Sequence, residues 1–515
     1  MNQLPLLTLL IGTPLIGGLV VAFLGAGRAV LARRVAYVFA WASLVVAILL
    51  WAGFDRSSGK LQFVENYPWI PSMAVSYHLG IDGLGLLMVL LTAILVPMSL
   101  AASAGVSSRV SLYYALILWL QAGLFGTFCA LNFFHWFLFW ELSLVPAFFL
   151  IRLWGGAGRV AAANRFFIYT MVGSVTLLLA FVAMFLATGQ FDFAQLARMA
   201  QERRLIPALA SQGAGTAGWL PWAVFWGAFL GFAVKMPIVP FHTWLPVTYA
   251  EAPIGTTMLL TGAMSKMGAY AFVRILLPIF PDQIRAALPA LLSLAVLSIV
   301  FSASVALAQR DLRRLLAYSS INHLGYCLLG MAALFGADEG VRFPELERTA
   351  VFNGVFLQMF NHGLTAAALF WMAGLLEQRS GGRRELDAFG GLRKPMPVFC
   401  GFMGIALFSS LGLPGLNGFV GEFLIFKGVF PLSGWAAAAA LPGLLLTAVF
   451  ILGLLQRVFF GPTREPWSNL ADLTLRERAC LFPAVALMLV LGIYPQALVG
   501  IVNGTASSMA RSLPF

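Results

Sequence analysis

The sequence predicts an all-α polytopic membrane protein of about fourteen transmembrane helices, organised as two inverted five-helix repeats that each contain a broken helix. Three observations lead there. Sixty per cent of the 515 residues are hydrophobic and ten per cent charged, a balance that excludes a soluble globular protein. Apolar windows of about 20 residues, the length of one crossing, recur along the whole chain. Two of those windows, five apart, carry similar Pro/Gly lesions: KMPIVPFHTWLP (Lys235–Pro246) and GLPGLNGFVGEF (Gly412–Phe423). A unit with an odd number of crossings, repeated in tandem, enters from the opposite face in its second copy, which is the inverted-topology arrangement of transporters.

The windows fall near 4–25, 31–52, 81–104, 110–130, 133–152, 161–188, 219–247, 255–278, 287–308, 315–336, 350–376, 396–428, 432–456 and 479–502. They divide the chain into N-terminal spans (1–109), a first repeat (110–280), a second repeat (281–460) and a C-terminal span (461–515). Leu4–Leu24 lacks the basic start of a signal peptide and is kept as the first span. The long connections are 53–80, 189–218 and 377–395; the second contains FDFAQLARMAQERRLIPALA, which suits a short amphipathic surface helix or a plain loop equally well. Net charge of +12 raises the question of nucleic acid, but the basic residues lie in short loops where orientation explains them. Odd-numbered loops hold most of them, including Arg28, Arg33 and Arg34, Arg310, Arg313 and Arg314, and Arg383 and Arg384. With positive charge inside, both termini face the periplasmic side of a bacterial inner membrane. Cys129, Cys327, Cys400 and Cys480 sit singly and read as small hydrophobes, not as zinc or iron–sulfur ligands.

The informative residues are the polar ones inside apolar windows. A charge at mid-bilayer costs roughly 2.5–3.5 kcal/mol on insertion scales, so it faces protein or water and marks an ion path. Of the five lysines, Lys235, Lys266 and Lys427 lie in apolar segments, while arginine supplies the loops. A lysine can shed its proton when desolvated and an arginine cannot. Lys235 ends a half-helix before Pro237 and Pro240, which free the carbonyls of Ala233 and Met236. Glu141, mid-span among aromatics, is an ion-pair partner or proton donor for Lys235, or a packing hydrogen bond to a neighbouring helix. Lys266 shares its face with Gly262, Ala263, Ala269 and Tyr270, mostly small residues that bring a second helix close. His323 and His362 occupy successive spans and suit proton relay or hydrogen-bonded packing. Glu422 follows the second lesion, in what the pattern gives as the first turn of the next half-helix, where the dipole favours an anion. Pro237, His242 and Pro414 are helix-break or gating positions. His242 and Glu251 are explained as well by helix-end hydrogen bonds, and Lys427 as well by snorkelling to the interface.

From Lys235-Met236-Pro237 through PFHTWLP and AEAP to Lys266 and Gly268, the chain resembles the antiporter-like membrane subunits of respiratory complex I, a family shared with multisubunit cation/proton antiporters and membrane-bound hydrogenases. Glu422, where related subunits carry lysine, and the absence of a long lateral helix after the last span resemble the M-type branch of that family. The resemblance implies one proton channel, with Glu141 and Lys235 as a coupled pair, Lys266 as central relay, His323 and His362 continuing it, and Glu422 as the terminal exchange group. It also implies that FMN, iron–sulfur clusters and quinone belong to partner subunits, and that the partners of this chain are the other membrane subunits, including neighbouring antiporter-like ones, together with lipid and protons. A membrane subunit of a Na⁺/H⁺ antiporter or hydrogenase complex is the alternative. Two other classes are weighed: an integral cytochrome with a haem between His323 and His362, and a scaffold without a channel, which has little reason to hold so many ionisable groups in lipid.

Overall fold

The structure is a computed structural model that describes residues 4–25, 27–73, 75–212, 218–336 and 344–513. At one flank α1 (Leu6–Phe23) and α2 (Ala29–Gly53) pack together, and Val38, Trp41 and Ile48 of α2 stay exposed, as a lipid-facing surface requires. The connection 53–80 then forms an antiparallel hairpin, β1 (Gln62–Ile70) and β2 (Val75–Ile81), with Glu65 opposite Leu79 and Tyr67 opposite Tyr77. Nothing in the hydropathy pattern singled it out, although β-branched and aromatic residues suit strands. Its Glu65 carboxylate turns inward and accepts from the backbone N–H groups of Leu7 (2.8 Å) and Thr8 (3.3 Å) and from the Thr8 hydroxyl. Those are orphan donors of the first turn of α1, which Pro5 cannot cap.

Helices α3 (Gly83–Ala102) and α4 (Val110–Cys129) are buried nearly all round and form the centre of the N-terminal half; α5 (Phe133–Trp154) and α6 (Arg159–Thr188) pack outside them. The 191–210 stretch makes two short helices, α7 (Phe193–Gln201), capped by Asp192, and α8 (Leu205–Ala210). Next, α9 (Leu220–Lys235) and α10 (Trp244–Glu251) are the halves of the first broken helix. The expected loss of hydrogen bonds at this break is repaired for Ala233, whose carbonyl accepts from Ile238 N at 3.0 Å, while Trp244 Nε1 donates to Val234 O at 3.0 Å. The prolines thus redirect the chain without stranding Ala233. The following rod consists of α11 (Ile254–Leu259), a π segment (Leu260–Met264), α12 (Ser265–Ala271), a second π segment (Phe272–Leu276) and α13 (Leu277–Ile279).

After α14 (Pro281–Ala286), the second repeat comprises α15 (Leu288–Leu307), α16 (Leu312–Ala333), α17 (Pro344–Arg379), the broken pair α18 (Pro397–Leu411) and α19 (Asn417–Leu432), and α20 (Gly434–Phe459). Contacts run in parallel in the two repeats. The first helix packs on the second (α4 on α5, α15 on α16), and the third lies against both halves of the broken one (α6 on α9 and α10, α17 on α18 and α19).

The expected last span, 479–502, is corrected: α21 (Leu475–Ile493) and α22 (Gln496–Ser512) meet at a 68° bend, and α22 returns to pack on α17 and α3. Pro495, with no N–H to donate, stops the helix there. Among the described residues nine helices are long and apolar enough to cross a membrane, ten if the bent pair counts as one crossing. The expected crossings that fail this test are α9 with α10, the π-interrupted rod, α16, and α18 with α19. These bear Lys235, Lys266, His323 and Glu422, so polar content and helix interruption coincide.

Candidate functional site

Lys235, the last residue of α9, is 2% exposed. Its ammonium lies 3.4 Å from Ser143 Oγ, to which it donates, and 4.8 Å from the centroid of the Trp140 ring. Trp140 and Ser143 stand three apart on α5 and share a face; Glu141, between them, is rotated off it. Glu141 therefore closes no ion pair with Lys235 among the described residues, and its buried Oε1 has no hydrogen-bond partner. The expected contact pair is thus not formed in this structure.

Lys266 is fully buried. Its ammonium donates to the Thr261 carbonyl and to Ser265 Oγ (3.3 Å), and meets His362 Nδ1 at 2.8 Å. The π segment loosens the backbone ladder just where Thr261 O turns to the ammonium, a use of π turns common at functional sites. Glycines set the approach of the helices. A Cβ on Gly268 would lie 2.7 Å from both Met236 N and Phe232 O, so α12 touches the broken end of α9 backbone to backbone. A Cβ on Gly363 would lie 2.5 Å from Gly262 O, and this contact delivers the adjacent His362 to Lys266. Of the face expected around Lys266, Gly262 meets α17, while Tyr270 packs on Phe128 of α4.

The imidazoles of His362 and His323 lie 5.0 Å apart between centroids, tilted by 38°. His323 Nδ1 meets Glu422 Oε1 at 2.9 Å and Nε2 meets Ser410 Oγ at 3.0 Å. Both ring nitrogens are engaged, and neither is turned to a ligand shared with His362. Gln358, one turn from His362 on α17, directs its amide nitrogen to His323 Nδ1 and Glu422 Oε1, each at 3.3 Å. The other Glu422 oxygen rests over Gly412, where an added Cβ would be 2.8 Å from it. Asn417, the first residue of α19, is braced by Ser409 Oγ and by Asn361 Nδ2, the latter donating to its carbonyl at 2.7 Å. Lys266, His362, His323 and Glu422 thus form one buried run across α12, α17, α16 and α19.

Glu422 lies a full turn deeper in α19 than the sequence pattern suggested, because the helix begins at Asn417. A helix N-terminus stabilises anions chiefly within its first turn, so His323 and Gln358, not the dipole, hold this carboxylate. His242 is buried in the 236–243 turn with its ring against Phe301 and Tyr318. Pro237 and Pro414 occupy the two breaks, Pro414 exposed. Glu251 accepts from Gly158 N at 2.7 Å and so caps α6. Lys427 is 42% exposed and pairs with Glu347 at 3.1 Å, an interfacial arrangement. Sequence reasoning passed over Trp140, Ser143, Thr261, Ser265, Gln358 and Ser410. The usable signal was a hydroxyl or amide one turn from an intramembrane charge, as for Gln358 before His362.

Among the described residues no group of three or more His, Cys, Asp or Glu side chains is placed to hold a metal ion, so the donor set does not fit a cluster. The family model described as "NADH:quinone oxidoreductase/Mrp antiporter, TM" matches residues 130–447. NADH-quinone oxidoreductase subunit M of Rhodobacter capsulatus is 36% identical over 99% of this chain and 97% of its own length; that of Mycobacterium tuberculosis is 34% identical over 98% and 93%. Among solved structures, a chain of respiratory complex I from Thermus thermophilus superposes with a TM-score of 0.83 at 27% identity, covering 99% of this chain and all of that one. A chain of the Mrp complex from a Dietzia species superposes with a TM-score of 0.84 over the full length of both chains; at 21% identity it shows the fold alone.

Proposed function

The chain belongs to the NADH:quinone oxidoreductase/Mrp antiporter transmembrane family, among the M-type membrane subunits of NADH-quinone oxidoreductase, and from that premise we propose the residues that carry its protons. It is a proton-translocating, multi-pass subunit of an oxidoreductase complex whose other membrane subunits are its partners. One observation supports the residue assignment best: the buried run Lys266–His362–His323–Glu422, in which Lys266 meets His362, His323 meets Glu422, and the two imidazoles lie 5.0 Å apart. Lys235 loads at the first break, with Glu141 setting how readily it holds its proton. Lys266 passes the proton across the boundary between the two repeats (110–280 and 281–460) to His362, His323 continues it, and Glu422 exchanges with the outer side. Both termini face the periplasm, as the arginine-bearing loops require. FMN, iron–sulfur clusters and quinone lie in partner subunits, and electron transfer there drives the switching here.

The test is Lys235→Ala in the intact complex reconstituted into liposomes. NADH:quinone turnover and assembly persist, while protons translocated per NADH fall by the share of this subunit; a wild-type ratio with the variant fully incorporated would overturn the assignment. The family description, which includes Mrp antiporters, favours one second reading, a cation/proton antiporter subunit. Copurifying flavin and iron–sulfur absorbance with NADH oxidation supports the first reading, and intact partners without either supports the second.

A further inference from the structure

One face of the π-interrupted rod carries Lys266, Tyr270 and Arg274 at successive turns, and only the first has a place in the proton run. Arg274 forms an ion pair with Asp82 at 2.6 Å; the side chains are 11% and 3% exposed. Asp82 is the N-cap of α3 and also accepts from Gly85 N at 3.0 Å. Arg274 Nε donates to the Tyr270 hydroxyl at 3.4 Å, and that hydroxyl donates to the Phe128 carbonyl at 2.8 Å. Arg274 also lines a cavity of about 260 Å³ that runs between α7, α13 and the end of α22, past the exposed Arg198, Gln201 and Ser512. The cavity therefore opens at the surface beside Arg274, which lies two helical turns along the rod from Lys266.

We propose that Arg274, fixed by Asp82, is the barrier that keeps this surface cavity from short-cutting Lys266 to the outer side. Two properties make it one. The cavity is lined mostly by apolar side chains, and the guanidinium is a permanently charged group beside them that offers an entering proton no acceptor. The hydrogen bonds beneath it also lead nowhere: a guanidinium has no lone pair with which to accept a proton, and the Tyr270 hydroxyl hydrogen is committed to a backbone carbonyl that cannot pass it on. Asp82 holds the guanidinium in place and offsets the cost of burying it. The proposal rests on the reading that Lys266 carries protons.

The test uses the whole complex in liposomes without NADH, following passive proton leak with a trapped pH dye under an imposed potassium diffusion potential. The double variant Arg274→Gln/Asp82→Asn removes both charges with near-isosteric groups and leaves no buried ion unpaired. It leaks about tenfold faster than wild type, equivalent to a barrier lower by about 1.4 kcal/mol. Adding Lys266→Ala to the double variant abolishes the extra leak. A double variant as tight as wild type would overturn the proposal, and so would a leak indifferent to Lys266. Failure of the reading beneath it appears separately, as undiminished NADH-driven pumping in Lys266→Ala alone.

Discussion

At the residue scale, the site is held by groups that carry no charge. Lys235 touches a serine and an indole, Lys266 a carbonyl and a serine, and His323 with Glu422 shares the amide of Gln358. Six of the charged or imidazole groups were legible because an ionisable side chain in an apolar window is rare. Their neutral partners were not, because serine, threonine and glutamine are common inside membrane helices and only three-dimensional proximity selects among them. Glycines matter as much. Gly412 has φ of +80°, and any Cβ there meets the Glu422 carboxylate, so Gly412→Ala suffers both backbone strain and a clash. It should cost about 1–2 kcal/mol of stability and displace Glu422. The measurement is thermal denaturation of the complex beside protons translocated per NADH; both should fall, and a variant normal in both would show that the carboxylate tolerates another position.

At the scale of elements, hydropathy located nine of the fourteen expected crossings as long apolar helices among the described residues, and their interruptions unevenly. The two breaks announced themselves through Pro237, Pro240 and Pro414, whereas the π segments beside Lys266 left no trace, because the residues LTGAM and FVRIL are ordinary helix sequence. The hairpin was missed for another reason: the buried side chain of β1 is a carboxylate, Glu65, that closes the start of α1 from outside. Glu65→Ala should leave the Leu7 and Thr8 amides without acceptors, destabilising the first turn of α1 by about 1–2 kcal/mol. Hydrogen exchange read at those two amides should speed by roughly tenfold for each 1.4 kcal/mol lost. Unchanged protection would mean that lipid-side packing of α1 against α4 suffices by itself.

At the scale of the molecule, the two repeats meet where Gly262 on the rod presses on Gly363 of α17, so the proton run crosses their boundary at a backbone contact. The repeat was readable from the five-span offset of its lesions, but which helices would touch at the boundary was not, since that depends on glycines facing one another across separate repeats. Orientation is a property of the whole chain. A tag at the C-terminus should be accessible in spheroplasts and protected in inverted vesicles, as the positive-inside distribution requires. The opposite pattern would exchange loading and release sides for every residue in the run.

The gap between the two imidazoles has one more consequence. With both nitrogens of His323 committed to Glu422 and Ser410, and the rings 5.0 Å apart, the resting run is an open circuit. In the relay proposed above, charge sits on the Lys266 side or on the Glu422 side and crosses when a ring lets go of a partner. The resting subunit would then act as a pair of capacitor plates set in the membrane's own field, with the swing of one imidazole as the contact that discharges them.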